Sequence, residues 1–583
     1  MLRKRGISLY ICSFISLLCV SVFSSAAGAA AWNAKSDLLR VADESPSIAA
    51  FPDAEGIVLL SHYLYKLLPD GSEEKTHRTL IIPADKSGKL TIPYTAREGA
   101  VVLTASWLDS DSGKALAPLD YTFAPLKQIE VTVPPGMAGQ VIALETVTVI
   151  PRRYNVDDCL TLAGDMPRWE QRVDVEFPEG MDIYWQGVGV RNPSRALTGG
   201  LDRASWALTN QGVIKESGFI DARRPTLAFS LRQGTSYSLR GLSEAEGAFH
   251  APNPPSGLSS SSRNLKRDGN AIERLLREDA ALSPKDAAFT AAKWFEALGY
   301  KVQIFWSPKM EITKESPDCA ELWREPLLTV SAGNKETYYF TPSFGFGPVP
   351  AYLSGKPVYR YDGDTTQRTV MPSGPPALNS LTGTWQLSLG ADGAASGSLE
   401  INVTGGWIDV LSMGRVPSSE DVAAEIQKAF VFGVPNMAIE DVSVKESNDG
   451  YRVTLNVRAP LGIVGGKDML VRLPGFIPAA LANIPRGGEF SFSFPFIFNQ
   501  VIFISTPKGY YRSVTPPEKS RAGDGNSTID KSIVHWEKRA RIEAECKWTV
   551  RTLKIDAASA SRITSQMETE LKWADTGVPL RAR

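Results

Sequence analysis

Thiols, imidazoles and paired carboxylates are the side chains with which this chain could do covalent chemistry, and they are few and badly spaced. Five cysteines occur in 583 residues. Cys12 and Cys19 fall in an apolar run near the start, leaving Cys159, Cys319 and Cys546. The four histidines are His62, His77, His250 and His535, so residues 251 to 534 contain no imidazole. A nucleophilic cysteine needs a lowered pKa or an adjacent base. Cys319, in "ESPDCAELW", has Glu325 as its candidate base, but it precedes a strand instead of opening a helix. A cysteine-dependent hydrolase or acyltransferase would have to be built on it; the plainer reading is an ordinary or disulfide-bonded cysteine. Three dispersed cysteines permit one disulfide at most.

Other chemical patterns fail on inspection. "LDSDSGKALAPLD" sets Asp109, Asp111 and Asp120 at calcium-loop offsets, yet Lys114 stands where an EF-hand needs glycine, so a hairpin turn is expected. "LGIVGGKDM" imitates a phosphate loop but has Leu461 in place of the first glycine and Asp468 in place of Ser or Thr. Asp157 and Asp158 are adjacent rather than facing, which gives glycosidase chemistry no support. Motifs of the CxxC and HExxH type are absent, as is a G-x-G-x-x-G opening a helix. No cofactor and no metal are implied.

The elements that must position any site are mainly strands. Residues 51 to 250 break into short extended segments separated by turns such as "PDG" and "RQG". "APNPPSGLSSSSR" and "TVMPSGPPALNSLTG" are breaker-rich linkers. In "GYRVTLNVRAP", Tyr451, Val453, Leu455 and Val457 alternate with polar residues, as a half-buried strand does. "EFSFSFPFIFNQVIFIST" puts Phe490, Phe492, Phe494, Phe496 and Phe498 on one face; sheet core outweighs a cofactor platform, and Pro495 requires an edge or a break. A helix is expected over "SSEDVAAEIQKAFVFG" (418 to 433), capped by Ser418 or Ser419. Two more are expected at roughly 268 to 282 and 284 to 298.

Composition restricts the setting. The start reads as a signal peptide: basic Arg3, Lys4 and Arg5, an apolar run from Ile7 to Phe23, then A-x-A sites at Ala27 to Ala31. The alternative is an uncleaved anchor. With 63 Lys+Arg against 64 Asp+Glu, there is no basic footprint for nucleic acid and no polybasic membrane patch.

The second expected helix carries the strongest signal. Ser283 can cap it, Pro284 suits its first position, Asp286 complements its dipole and Gly299 stops it. "SPKDAAFTAAKWFEALGYKVQIF" resembles the core of transglutaminase-like proteins, where a Gly-x-Cys-[Lys/Arg]-Asp motif opens such a helix. A histidine then starts a later strand, and an aspartate lies in a Tyr-x-x-Asp-Pro motif. "LWREPLLTVSAGNKETYYFTPSF" resembles that strand pair and "PAYLSGKP" the segment after it. Residues 51 to 250, from "FPDAEGIVLL", resemble the β-rich domain of unknown function that precedes such cores in exported bacterial proteins. The ending, from "YYRSVTPPEKS" to "ETELKWADTGVPLR", resembles their C-terminal β domain.

Carried across, the resemblance puts Pro284 at the cysteine position, Glu325 at the histidine position and Thr341 at the aspartate position. Lys285 and Asp286 remain from the motif. Proline offers no nucleophile and threonine no orienting carboxylate. The expectation is therefore a mainly β, exported protein, periplasmic or extracellular, in which β-sandwich-like N- and C-terminal domains flank a degenerate transglutaminase-like (papain-like) core. Its divisions are a signal peptide over 1–31, a β-rich domain over 32–250, a linker over 251–265, the core over 266–365, a linker over 366–383 and a β-rich domain over 384–583. It would be a pseudoenzyme binding a protein or glycan of the cell envelope through Trp323, Glu325, Phe344 and Phe346. A purely architectural module without a pocket is the third reading.

Overall fold

The computed structural model describes residues 32–583 apart from 53, 85–87, 94–100, 125–127, 165, 213–219, 223–224, 256–257, 259–263, 279–281, 334–336, 343–344, 412–427, 435, 448–449, 483–489, 513–518, 524 and 567–576. It is mainly β and divides into two compact units. One holds Met1–Tyr154, Gly164–Glu179 and Asn192–Val213; the other holds Asn155–Ala163, Gly180–Arg191 and Ile214–Arg583. The chain enters the second unit at Asn155, Gly180 and Ile214, so this division does not coincide with the boundary expected at residue 250. The reason is strand pairing: Asp157–Thr161 and Tyr184–Val188 both pair with Thr226–Ser230 in a sheet of their own. The presumed signal segment lies outside the described residues. Among the described residues no helix is long and apolar enough to cross a membrane.

In the first unit an eight-stranded sheet centres on Gly56–Leu67, which pairs parallel with Arg168–Pro178 and antiparallel with Glu73–Pro83. The "PDG" turn joins Gly56–Leu67 to Glu73–Pro83, with Gly71 at φ 80°, a conformation costly for any residue with a Cβ. The acidic "LDSDSGK" stretch is a hairpin connection, as expected: Asp109 accepts hydrogen bonds from the Ser112 N–H at 2.8 Å and hydroxyl at 2.6 Å, and flanking strands Val101–Leu108 and Ala115–Pro118 pair antiparallel.

The C-terminal part of the second unit is built on another eight-stranded sheet. Phe496–Ser505 lies inside it, parallel to Ser380–Leu389 and antiparallel to Arg541–Val550. Pro495 marks a break, not an edge: Phe490–Phe492 belongs to a separate three-stranded sheet. All five phenylalanines of the run are buried, against Trp407, Trp548 and Phe476. At about 1.5–3 kcal/mol each, their burial holds this sheet in place and leaves no aromatic face for a cofactor. The expected alternation of Val453, Leu455 and Val457 inward is present. Most of the helix expected over 418–433 lies outside the described residues. Its end is corrected: Phe430–Phe432 is a strand paired with Phe476–Pro478, drawn there by the Phe430–Phe476 edge contact at 5.2 Å.

Between those segments in the chain, the second unit contains three helices and a six-stranded sheet. We label the helices α1 (Ser236–Ala248), α2 (Leu265–Glu278) and α3 (Pro284–Ala297). The strands are β1 (Lys301–Pro308), β2 (Trp323–Ser331), β3 (Thr337–Thr341), β4 (Gly345–Gly347), β5 (Pro357–Tyr361) and β6 (Thr366–Val370), in spatial order β4-β3-β2-β1-β5-β6. Helix α2 begins earlier than expected because the Asn264 side chain accepts the Arg267 N–H at 3.0 Å and caps it. On α3, Ala288, Ala291, Ala292 and Phe295 are buried against Ile304, Trp306, Leu328 and Val330 of the sheet.

Candidate functional site

Helix α3 opens as its sequence requires. The Ser283 hydroxyl accepts the Asp286 N–H at 3.1 Å and donates to the Asp286 carboxylate at 2.6 Å, with Pro284 exposed at the first helical position. The capping hydroxyl is thereby committed to the helix. The turn from Leu298 to Tyr300 folds α3 back along β1, with Gly299 at φ 83°. Fourteen helical residues span about 21 Å and eight strand residues about 26 Å, so Pro284 lies toward the Pro308 end of β1. Pro308 is paired with Trp323 at the start of β2. Glu325 follows on β2, and Thr341 ends β3, one residue beyond the Phe340 that pairs with Leu328. The three positions singled out in the sequence therefore sit at the same end of one sheet. Thr341 is fully buried, and the Glu325 side chain lies outside the described set.

The expected contact surface is corrected in two places. Trp323 is a core residue: its indole N–H donates to the Ser238 hydroxyl of α1 at 3.0 Å and its ring lies 5.6 Å from that of Tyr359. Phe346 is also core. It stacks on Tyr338 at 5.2 Å and Phe295 at 5.6 Å, it covers Gly269 of α2, and its N–H donates to Glu273 at 2.8 Å. Neither ring is free to meet a partner. Phe344 lies outside the described residues.

Cys319 lies just ahead of β2, four positions before Trp323, in a segment held from several sides. The Gly234 N–H donates to Ser316 O at 2.8 Å, the Asp318 N–H donates to Arg232 O at 2.9 Å, and the Asp318 carboxylate accepts the Tyr237 and Ser238 N–H groups at the start of α1. The Cys319 thiol is completely buried, packed with Cys159, Ala228, Met310 and Leu322. Burial, then Glu321 and Asp157, push its pKa well up; burial likewise raises Cys159 to about 12. Both shifts run opposite to what a nucleophile needs. Cys546 is in the separate C-terminal core, and no disulfide joins Cys159, Cys319 and Cys546.

Two groupings escaped the sequence. Asp157, Cys319 and Glu321 place one donor atom each within 4.8 Å of one another. Asp157 and Cys319 are 162 positions apart, and no motif links them. On the sheet face away from α3 lies a groove of about 370 Å³, lined by Lys301, Gln303, Thr329, Ser331, Thr337 and Tyr339 among others. Strand alternation explains it: Val302 and Ile304 turn to the helix, so their neighbours face the other way.

No family profile matches the chain, and no curated protein matches it. Among solved structures, a candidate protease from Parabacteroides distasonis ATCC 8503 aligns over 90% of this chain and 99% of that one, with a TM-score of 0.52 at 12% identity. The two share a fold across nearly their whole lengths. At that identity the likeness carries nothing about activity. An M1 zinc metallopeptidase from Deinococcus radiodurans covers 39% of this chain and 52% of its own at a TM-score of 0.20, too slight for any argument.

Proposed function

We propose that this is an exported, non-catalytic protein whose transglutaminase-like core persists as a scaffold for binding a protein or glycan of the cell envelope. The observation that carries the reading is Pro284, exposed at the first position of α3, where the family's chemistry needs a thiol at the helix's positive end. The neighbouring Ser283 hydroxyl is tied into the cap. Cys319, just ahead of β2, is completely buried, and burial pushes its thiol pKa well up. A core that keeps its helix start, turn and strand pair without a nucleophile is a surface to bind with, not a machine to cut with.

With Trp323 and Phe346 committed to packing, the polar groove behind the sheet is the better contact site. Hydroxyls of Thr329, Ser331, Thr337 and Tyr339, the Gln303 amide and the Lys301 ammonium are donors and acceptors suited to a hydroxyl-rich glycan chain. The test is a turnover screen of the full chain on peptide amides, peptide esters and glutamine–amine pairs, beside the Cys319→Ala variant. No turnover above that variant is expected. Turnover that disappears with Cys319 would overturn the proposal and establish a cysteine hydrolase or acyltransferase instead.

A further inference from the structure

We infer that Asp157, Cys319 and Glu321 form a binding site for a borderline-soft divalent cation of the Zn²⁺ type. The three donor atoms lie within 4.8 Å of one another, and the Cys319 sulfur is already 3.5 Å from Glu321 Oε2. Zinc bonds of about 2.0–2.3 Å set tetrahedral donors roughly 3.4–3.7 Å apart, so closing the set needs movements of about 1 Å. That is within the reach of side-chain rotation, and the Cys319–Glu321 pair already stands at the required spacing.

The donors are held in advance. Asp157 is on the edge strand Asp157–Thr161 and accepts a hydrogen bond from the Asn155 amide at 3.0 Å. Asn155 in turn donates to the Ser230 hydroxyl at 3.1 Å and accepts the Leu231 N–H at 3.1 Å, so the amide that holds the carboxylate is itself anchored in the interior. Cys319 is fixed by the bracing of Ser316 and Asp318 described above. Asp157 and Cys319 are buried, and half-buried Glu321 gives an ion a way in.

The donor chemistry selects the ion. One sulfur beside two carboxylates suits zinc, whereas calcium and magnesium take oxygen ligands alone. Three protein ligands leave a fourth position, which a water can take. On binding, the Cys319 S–H bond breaks, the sulfur–metal bond forms and one proton leaves to solvent.

The test uses the full chain, stripped by chelator and titrated with Zn²⁺ in competition with a chromophoric chelator, and with Co²⁺ as a spectroscopic probe. One equivalent of zinc is expected, with a sulfur-to-cobalt charge-transfer band. Cys319→Ser should abolish the band, and Asp157→Asn should weaken zinc at least tenfold while circular dichroism stays unchanged. Absence of stoichiometric zinc in the unaltered chain overturns the inference, as does zinc binding or a cobalt band that survives Cys319→Ser. Because the unaltered chain alone can give the negative result, a variant that fails to fold does not protect the inference.

Discussion

Asp318→Ala should loosen helix α1 from a position some eighty residues away in the chain. The helix has no side-chain cap of its own: Thr235, at the cap position, makes no such bond. The Asp318 carboxylate does that work, accepting the Tyr237 N–H at 2.9 Å and the Ser238 N–H at 2.8 Å. Losing a cap costs about 1 kcal/mol. Tyr237 is exposed, so water can take over its N–H, but Ser238 is buried and its N–H would be stranded, adding about 1–2 kcal/mol. The sum, about 2–3 kcal/mol, should appear as a roughly 30- to 150-fold loss of hydrogen-exchange protection across α1. Helix α3 should change far less, because its cap is its own Ser283. Asp318→Asn keeps one acceptor and should lose about half as much. A change below about threefold in α1, or an equal loss in α3, would refute the reasoning.

The remaining predictions concern packing and protonation. Because burial raises Cys159 to about 12 and also pushes Cys319 well up, neither should react with iodoacetamide near pH 8 in the native chain, while Cys159, Cys319 and Cys546 all react in denaturant; alkylation with peptide mapping reads both. Trp323→Ala should destabilise the second unit by about 3–5 kcal/mol in urea titration, as a core deletion does, where a surface contact would cost almost nothing. Gly269→Ala would drive a Cβ into the Phe346 ring and should cost about 1–3 kcal/mol by the same assay. Asp174 is held at about 2: burial opposes its ionisation, but the His62 ring at 2.8 Å and Ser205 outweigh it. A carboxylate lowered in the folded state stabilises above its unfolded pKa, and that contribution is lost as pH falls from about 4 through 2. Asp174→Asn should therefore cost about 2 kcal/mol near pH 6 and almost nothing near pH 2, in urea titrations at each pH.

What could be read from the sequence is what local rules decide. The Ser283–Asp286 cap, Pro284 at the helix start and the Gly299 stop lie within seventeen residues and appear as expected. The phenylalanine run declared a buried face and its proline a break, since alternation and the missing N–H act on the strand itself. Contacts between distant segments were not legible. Trp323 and Phe346 looked like rims of a cleft because their partners, Ser238 and Gly269, lie 85 and 77 positions upstream in other helices. The Asp157–Cys319–Glu321 grouping needs an edge strand and a loop that share no pattern. The 418–433 helix shows the converse failure: its helical spacing ran into "FVF", which tertiary pairing with Phe476–Pro478 turned into strand.

The central claim is that the start of α3 is a catalytic position emptied of its nucleophile, and putting a thiol back tests it most directly. The variant Pro284→Cys carries that thiol at an exposed helix N-terminus, where the dipole lowers its pKa. Timed alkylation of the native full chain, with peptide mapping, should label position 284 well before Cys159, Cys319 or Cys546. Rapid labelling of Cys319 in the unaltered chain, accompanied by turnover of any peptide amide or ester, would contradict the account.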